Sequence, residues 1–102
     1  MAERAGVRVD DKTMRAITAA MENTRLQILF LLGEHGSMYV GDIAAHFSIS
    51  RPAISHHLKI LKDTDLVKSV RKGQEIYYQV NTGHLALILR TIADTMQRCC
   101  PQ

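Results

Sequence analysis

The chain has 102 residues, of which 46% are hydrophobic and 23% are charged, so it has the length and composition of one globular domain over residues 1–102. It contains no apolar run of the roughly 18 residues that a membrane-spanning helix needs, and its first ten residues lack the apolar stretch of a secretory signal. We therefore expect a cytoplasmic protein with no membrane segment, a flexible arm at residues 1–10 and a tail at residues 98–102.

The formal net charge of +3 is unevenly distributed along the chain. Residues 51–72 contain six basic and two acidic side chains, a local charge of +4, so the rest of the chain sums to −1. Positive charge concentrated in this way is typical of a phosphate-binding surface. A solvated basic face with no ligand is the alternative that charge alone leaves open.

The first half of the chain predicts three helices. Apolar residues at helical spacing indicate a helix over residues 11–21. Asn23 or Thr24 is placed to cap a second helix, which Gly36 is placed to end. A brief strand at residues 38–40 then leads to a short third helix over residues 41–47.

A fourth helix is predicted to begin after Ser50. This serine precedes Arg51 and Pro52, a pattern typical of an N-cap followed by a proline in the first turn. Apolar residues then recur at helical spacing, so polar residues must lie on the opposite face. The apolar positions are Ile54, Leu58 and Leu61, and the polar positions are Arg51, Ser55, His56, Lys59 and Lys62.

The last third of the chain predicts a β-hairpin and a final helix. Residues 67–71 and 75–80 are rich in β-branched and aromatic side chains and flank a tight turn at Lys72, Gly73 and Gln74. Asn81 or Thr82 is placed to cap the final helix, and Pro101 prevents its extension. The apolar stripe of this helix comprises Leu85, Ile88, Leu89, Ile92 and Met96.

Two short helices joined by a turn and followed by a basic hairpin are the plan of a winged helix-turn-helix. We therefore predict a mainly α fold of about five helices plus a β-wing, whose fourth helix enters the DNA major groove. His56 and His57 point about 100° apart on a helix, so we predict that only His56 faces DNA. The predicted DNA-binding residues are Ser50, Arg51, Pro52, Ser55, His56, Lys59, Lys62, Arg71, Lys72 and Gln74.

The residues that carry this plan also resemble a known family. The run over residues 42–62, followed by Leu66, Val67 and residues 73–78, is similar to the ArsR/SmtB family of bacterial metalloregulators, and residues 21–29 match the start of its second helix. The resemblance spans about residues 13–95. It implies a homodimer held by the first and last helices, and a repressor that leaves its operator DNA when an inducer binds.

A dimer also agrees with the chain's size, because so short a chain can scarcely bury both terminal helices within itself. Packing of both helices on the protomer's own core is the alternative. The predicted dimer-interface residues are Met14, Ile17, Met21, Leu85, Ile88, Leu89, Ile92 and Met96.

The inducer sites that the resemblance implies are absent from this sequence. The third and fourth helices contain no cysteine. Asn81 and His84 stand at the start of the last helix, but Thr95 and Arg98 occupy the later positions where the resemblance implies further zinc ligands. What remains is Cys99 and Cys100. Two adjacent thiolates suit a thiophilic inducer such as trivalent arsenic, methylarsenite or antimony. Because there are two thiols per chain and not three, a methylated arsenical is favoured among these inducers. The alternatives are a thiol-oxidation sensor, or idle thiols in a repressor that senses no metal.

The sequence also bears on two other classes of protein. The sequence has no Gly-rich phosphate loop, no nucleophile elbow and no Cys/His/Asp set at catalytic spacing, so we predict neither an enzyme nor a catalytic cofactor. A winged-helix module that contacts only proteins would carry an apolar or acidic outer face on the fourth helix. The basic face favours double-stranded DNA as the partner.

Overall fold

A computed structural model describes residues 9–99 of the chain, with the side chains of residues 9–98. The predicted arm and tail lie largely outside these residues, at positions 1–8 and 100–102. The described part contains five helices and three strands, which confirms the predicted winged helix-turn-helix. The helices are α1 (Asp11–Ala20), α2 (Asn23–His35), α3 (Val40–Ala44), α4 (Arg51–Asp63) and α5 (Thr82–Cys99), and the strands are β1 (Met38–Tyr39), β2 (Val67–Lys72) and β3 (Glu75–Val80).

The cap of α2 differs from the prediction, because Glu22 caps the helix and neither Asn23 nor Thr24 does. The backbone of Glu22 is extended, and its carboxylate Oε1 accepts a hydrogen bond of 2.9 Å from the backbone N–H of Arg25. That hydrogen bond lowers the pKa of the Glu22 carboxyl from its ordinary value of 4.5. At the other end Gly36 terminates α2 as predicted, in a left-handed conformation with φ of 87°.

The segment that joins α3 to α4 follows the predicted plan with shifted bounds. Val40 belongs to α3, not to the strand, and α3 ends at Ala44, three residues before the predicted end. Ser50 caps α4 as predicted, because its Oγ accepts a hydrogen bond of 3.2 Å from the backbone N–H of Ala53.

The three strands form one antiparallel sheet in the order β1-β3-β2. Lys72 pairs with Glu75 at the tip of the hairpin, and Gly73 adopts a left-handed φ of 63° in the two-residue turn between them. At the other end of the hairpin, the Asn81 amide donates to the Asp65 carbonyl, and its Oδ1 accepts from the His84 backbone N–H. One side chain therefore caps α5 and fixes the loop before β2.

The inner face of α4 lies at the centre of the core. Ile54, Leu58 and Leu61 are completely buried, and they belong to one apolar cluster that also contains residues of α1, α2, α3, β2 and α5. Burial of three side chains of this size stabilises the fold by about 5 to 9 kcal/mol. The rotation of α4 about its axis is therefore fixed by packing. None of the described helices is long and apolar enough to cross a membrane.

Candidate DNA-binding surface

The outer face of α4 is the main part of the candidate surface. Because the apolar positions of α4 are held in the core, the opposite face of the helix points to solvent. The exposed residues of this face and of the cap before it are Ser50, Arg51, Pro52, Ser55, His56, Lys59 and Lys62. These residues are all seven that the sequence predicts for this part of the DNA surface.

The two neighbouring histidines of α4 have different surroundings. His56 is exposed, whereas the His57 side chain is only 18% exposed and its Nδ1 lies 3.1 Å from Nη1 of Arg25 on α2. Of the two rings, that of His56 is the one on the outer face, where the sequence predicts it. The contact of His57 with Arg25 is one that sequence reasoning did not find.

Lys59 has an acidic neighbour on the same face of α4. Its Nζ donates a hydrogen bond of 3.0 Å to Oδ2 of Asp63, and both side chains are exposed. An exposed pair of this kind contributes only about 0.3 to 0.5 kcal/mol. The pair does not prevent Lys59 from turning to a phosphate, but Asp63 lowers the positive potential at this end of the helix.

The wing residues Arg71, Lys72 and Gln74 are all exposed, but they do not form one cluster. Successive residues of a strand point to opposite faces, so Arg71 lies on the same face as Val67 and Lys72 on the other. The Lys72 Nζ stands 4.9 Å from the centroid of the Tyr77 ring. This aromatic support was not predicted from the sequence, although the alternation along β3 could have indicated it.

The predicted dimer residues divide into three groups. Met14, Met21, Leu89 and Met96 are exposed, with 44 to 58% of each residue accessible. Ile17, Leu85 and Ile92 are half-buried against the protomer's own core. The prediction is wrong for Ile88, because this residue is 1% exposed, belongs to that core and presents no surface to a partner.

The predicted inducer site lies at the limit of the described residues. Cys99 is the last residue of α5, and both its side chain and Cys100 are outside the described part. Within that part, no group of three or more His, Cys, Asp and Glu side chains is placed to hold a metal ion.

Comparisons with known proteins agree with this arrangement. Residues 22–69 match the family model described as bacterial regulatory protein, arsR family. The transcriptional repressor SdpR of Bacillus subtilis is 55% identical over 64 residues, which are 63% of this chain and 70% of that protein. The arsenical resistance operon repressor of Staphylococcus aureus is 37% identical over 81 residues, which are 76% of this chain and 77% of that protein.

A solved structure shows the same fold. The homodimeric winged helix-turn-helix DNA-binding domain of a Mycobacterium bovis protein is 28% identical to this chain. It superposes with a TM-score of 0.67, over 90% of this chain and 87% of that domain. The chain therefore belongs to the arsR family of bacterial regulatory proteins: it is a winged-helix, DNA-binding transcriptional repressor and not an enzyme.

Proposed function

We propose that two copies of this chain bind operator DNA together, each with the outer face of α4 in the major groove. The observation that carries the proposal is that α4 has three completely buried apolar residues on one face and exposes every predicted DNA-binding residue on the opposite face. A helix of 13 residues is about 20 Å long, and the major groove admits one helix of this diameter. The proposed partner is double-stranded DNA in the cytoplasm.

The order of residues along α4 suggests what each one contacts. Arg51, Ser55 and His56 lie in the first two turns, the part of a recognition helix that reaches the base edges. An arginine there can donate two hydrogen bonds to guanine, and serine and histidine can bond bases or phosphates. Lys59 and Lys62 lie nearer the other end and suit the phosphate backbone.

The proposed dimer uses α1 and α5, which contact each other within the protomer. The exposed apolar side chains Met14, Met21, Leu89 and Met96 are distributed over or beside these two helices. An interface of this kind would repeat about a two-fold axis and set the two copies of α4 about one DNA turn, or 34 Å, apart.

We further propose that a trivalent arsenical or antimonial binds at Cys99 and Cys100 and releases the DNA. The two thiols are adjacent, and α5, which leads to them, also belongs to the proposed dimer surface. The similarity to an arsenical resistance operon repressor supports this inducer class. A thiol oxidant is the alternative inducer, and a repressor that senses no metal is the other alternative.

The test is a fluorescence-anisotropy titration of DNA from the chain's own promoter, with zinc, arsenite, methylarsenite, antimonite and an oxidant added in parallel. We expect tight binding, and release by a trivalent metalloid. The Cys99→Ser/Cys100→Ser variant is the matched control, which should bind the same DNA and no longer release it. Release of that variant by arsenicals would contradict the cysteine site. Equal affinity for promoter and random DNA would contradict operator recognition.

A further inference from the structure

The start of α2 carries a polar network that the proposed DNA contacts do not use. It comprises Glu22, Arg25 and His57. The Arg25 Nη1 lies 3.1 Å from His57 Nδ1 and 4.0 Å from Glu22 Oε1, and the third side of the triangle, from His57 Nδ1 to Glu22 Oε1, is 3.9 Å. The side chains of Arg25 and His57 are 13% and 18% exposed, so their contact is largely sheltered from water, whereas the Glu22 side chain is 38% exposed.

The chemistry of the two partners fixes the state of the His57 ring. A guanidinium group has only N–H donors, so the Nδ1 atom that it contacts must be the acceptor. His57 is therefore neutral in this arrangement, with its proton on Nε2. A second proton would place an N–H on Nδ1, directly against the Arg25 guanidinium.

Arg25 links three helices through this contact. Its Nε donates a hydrogen bond of 2.8 Å to the carbonyl oxygen of Ala19 on α1, while Nη1 donates to His57 on α4. Arg25 itself lies in the first turn of α2. One planar guanidinium group thus links α1, which belongs to the proposed dimer surface, and α4, which belongs to the proposed DNA surface.

We propose that Arg25 is a positioning residue for the recognition helix, and that it acts through neutral His57. Protonation of His57 breaks the Arg25 contact, loosens α4 relative to α1 and weakens operator binding. The proposal rests on the proposed DNA-binding function, because it concerns the placement of α4 on the operator. In a dimer, that placement decides whether both copies of α4 reach successive major grooves.

The groups around His57 include another hydrogen-bond partner for the ring once it is protonated. From α2 it is approached by Glu22 and Arg25, and along α4 the centroid of the His56 ring is 6.0 Å away. Asp11 and Arg15 on α1 line the groove beside Arg25. Among these groups, the Glu22 carboxylate is the acceptor nearest to Nδ1, so protonated His57 would bond Glu22 and displace the guanidinium.

The first test compares the DNA affinity of the unmodified chain with that of His57→Asn between about pH 8 and pH 6, the range in which histidines change charge. The Asn Oδ1 stands close to where Nδ1 stood, so it accepts from Arg25 but takes up no proton. We expect the unmodified chain to lose about tenfold more affinity on acidification than the variant does, which corresponds to the loss of one charge-assisted hydrogen bond.

His35→Asn is the matched control, because His35 is exposed and, within the described residues, contacts the Leu31 carbonyl, the Glu34 carboxylate and the His46 ring, none of which belongs to the network. It should keep the pH profile of the unmodified chain. Identical profiles for the unmodified chain and His57→Asn would overturn the inference and leave the proposed function intact. Failure of every protein to bind promoter DNA at any pH would overturn the proposed function instead.

A second test examines the contact between Arg25 and His57 in the absence of DNA. Nitrogen-15 NMR of the histidine rings should show His57 as the Nε2–H tautomer with an unprotonated, hydrogen-bonded Nδ1, and Arg25→Lys should weaken that signature because an ammonium lacks the guanidinium fork. Arg25→Lys should also reduce the difference between the pH profiles of the unmodified chain and His57→Asn. An Nδ1–H tautomer of His57 in the unmodified chain would contradict the inference directly.

Discussion

Helices α4 and α5 have similar apolar stripes in the sequence but different surroundings in the fold. In α4 the three apolar residues Ile54, Leu58 and Leu61 are all completely buried within one protomer. Among the α5 side chains that the structure describes, Ile88 alone is buried, at 1% exposed, and the next residue, Leu89, is 49% exposed. The comparison shows that the apolar stripe of α4 is buried within one protomer, whereas the apolar stripe of α5 is partly exposed.

The largest expected effect tests this contrast within α5. Ile88→Ala should lower the free energy of unfolding by about 2 to 5 kcal/mol, because it leaves a cavity in the core. Leu89→Ala should change the stability of the protomer much less and should weaken self-association. Urea unfolding at low protein concentration measures the first quantity, and sedimentation equilibrium measures the second. Equal loss of stability in the two variants, with unchanged association, would remove the distinction between the two residues.

The next effect concerns the start of α4. Ser50→Ala should lower the free energy of unfolding by about 1 kcal/mol, because the Ala53 backbone N–H loses its partner. Ser50→Asn is the matched control, because its side-chain oxygen can still accept from the Ala53 backbone N–H, and it should leave the stability nearly unchanged. Thermal unfolding followed by circular dichroism would rank the three proteins. If Ser50→Ala were as stable as the unmodified chain, the cap would not contribute to holding the recognition helix.

The smallest effect concerns the outer face of α4. Asp63→Asn removes a negative charge beside Lys59 and should raise DNA affinity a few-fold, with the gain fading at high salt. Anisotropy titrations at two salt concentrations would measure this change. Glu34→Gln, at an exposed site outside the proposed DNA and dimer surfaces, controls for the change in net charge and should have a smaller effect. An equal gain in both variants would indicate that net charge alone acts.

Much of this fold could be predicted from the sequence, because the strongest signals are local. Ser50 before Arg51 and Pro52 predicted the start of α4, and Gly36 and Gly73 marked the end of α2 and the hairpin turn. Helical spacing separated the two faces of α4. Each of these signals depends on backbone chemistry within a few residues.

The features that could not be predicted depend on tertiary packing. Ile88 and Leu89 are adjacent members of one stripe, and only the contacts with other elements decide which of them is buried. Arg25 and His57 are 32 positions apart in the sequence, and no periodic pattern along the chain indicates that they are in contact. The cap of α2 was missed for a different reason: Asn and Thr are the better N-caps in general, but the extended backbone lies at Glu22.

The most direct test of the central claim is operator binding by the Arg51→Ala/His56→Ala variant. Both side chains are exposed on the outer face of α4, so the variant should fold and unfold like the unmodified chain. If α4 reads the operator, anisotropy titration with promoter DNA should show at least about a thirtyfold loss of affinity, since each of the two base contacts contributes about 1 to 3 kcal/mol. Unchanged specific affinity in a folded variant would contradict the placement of α4 in the major groove.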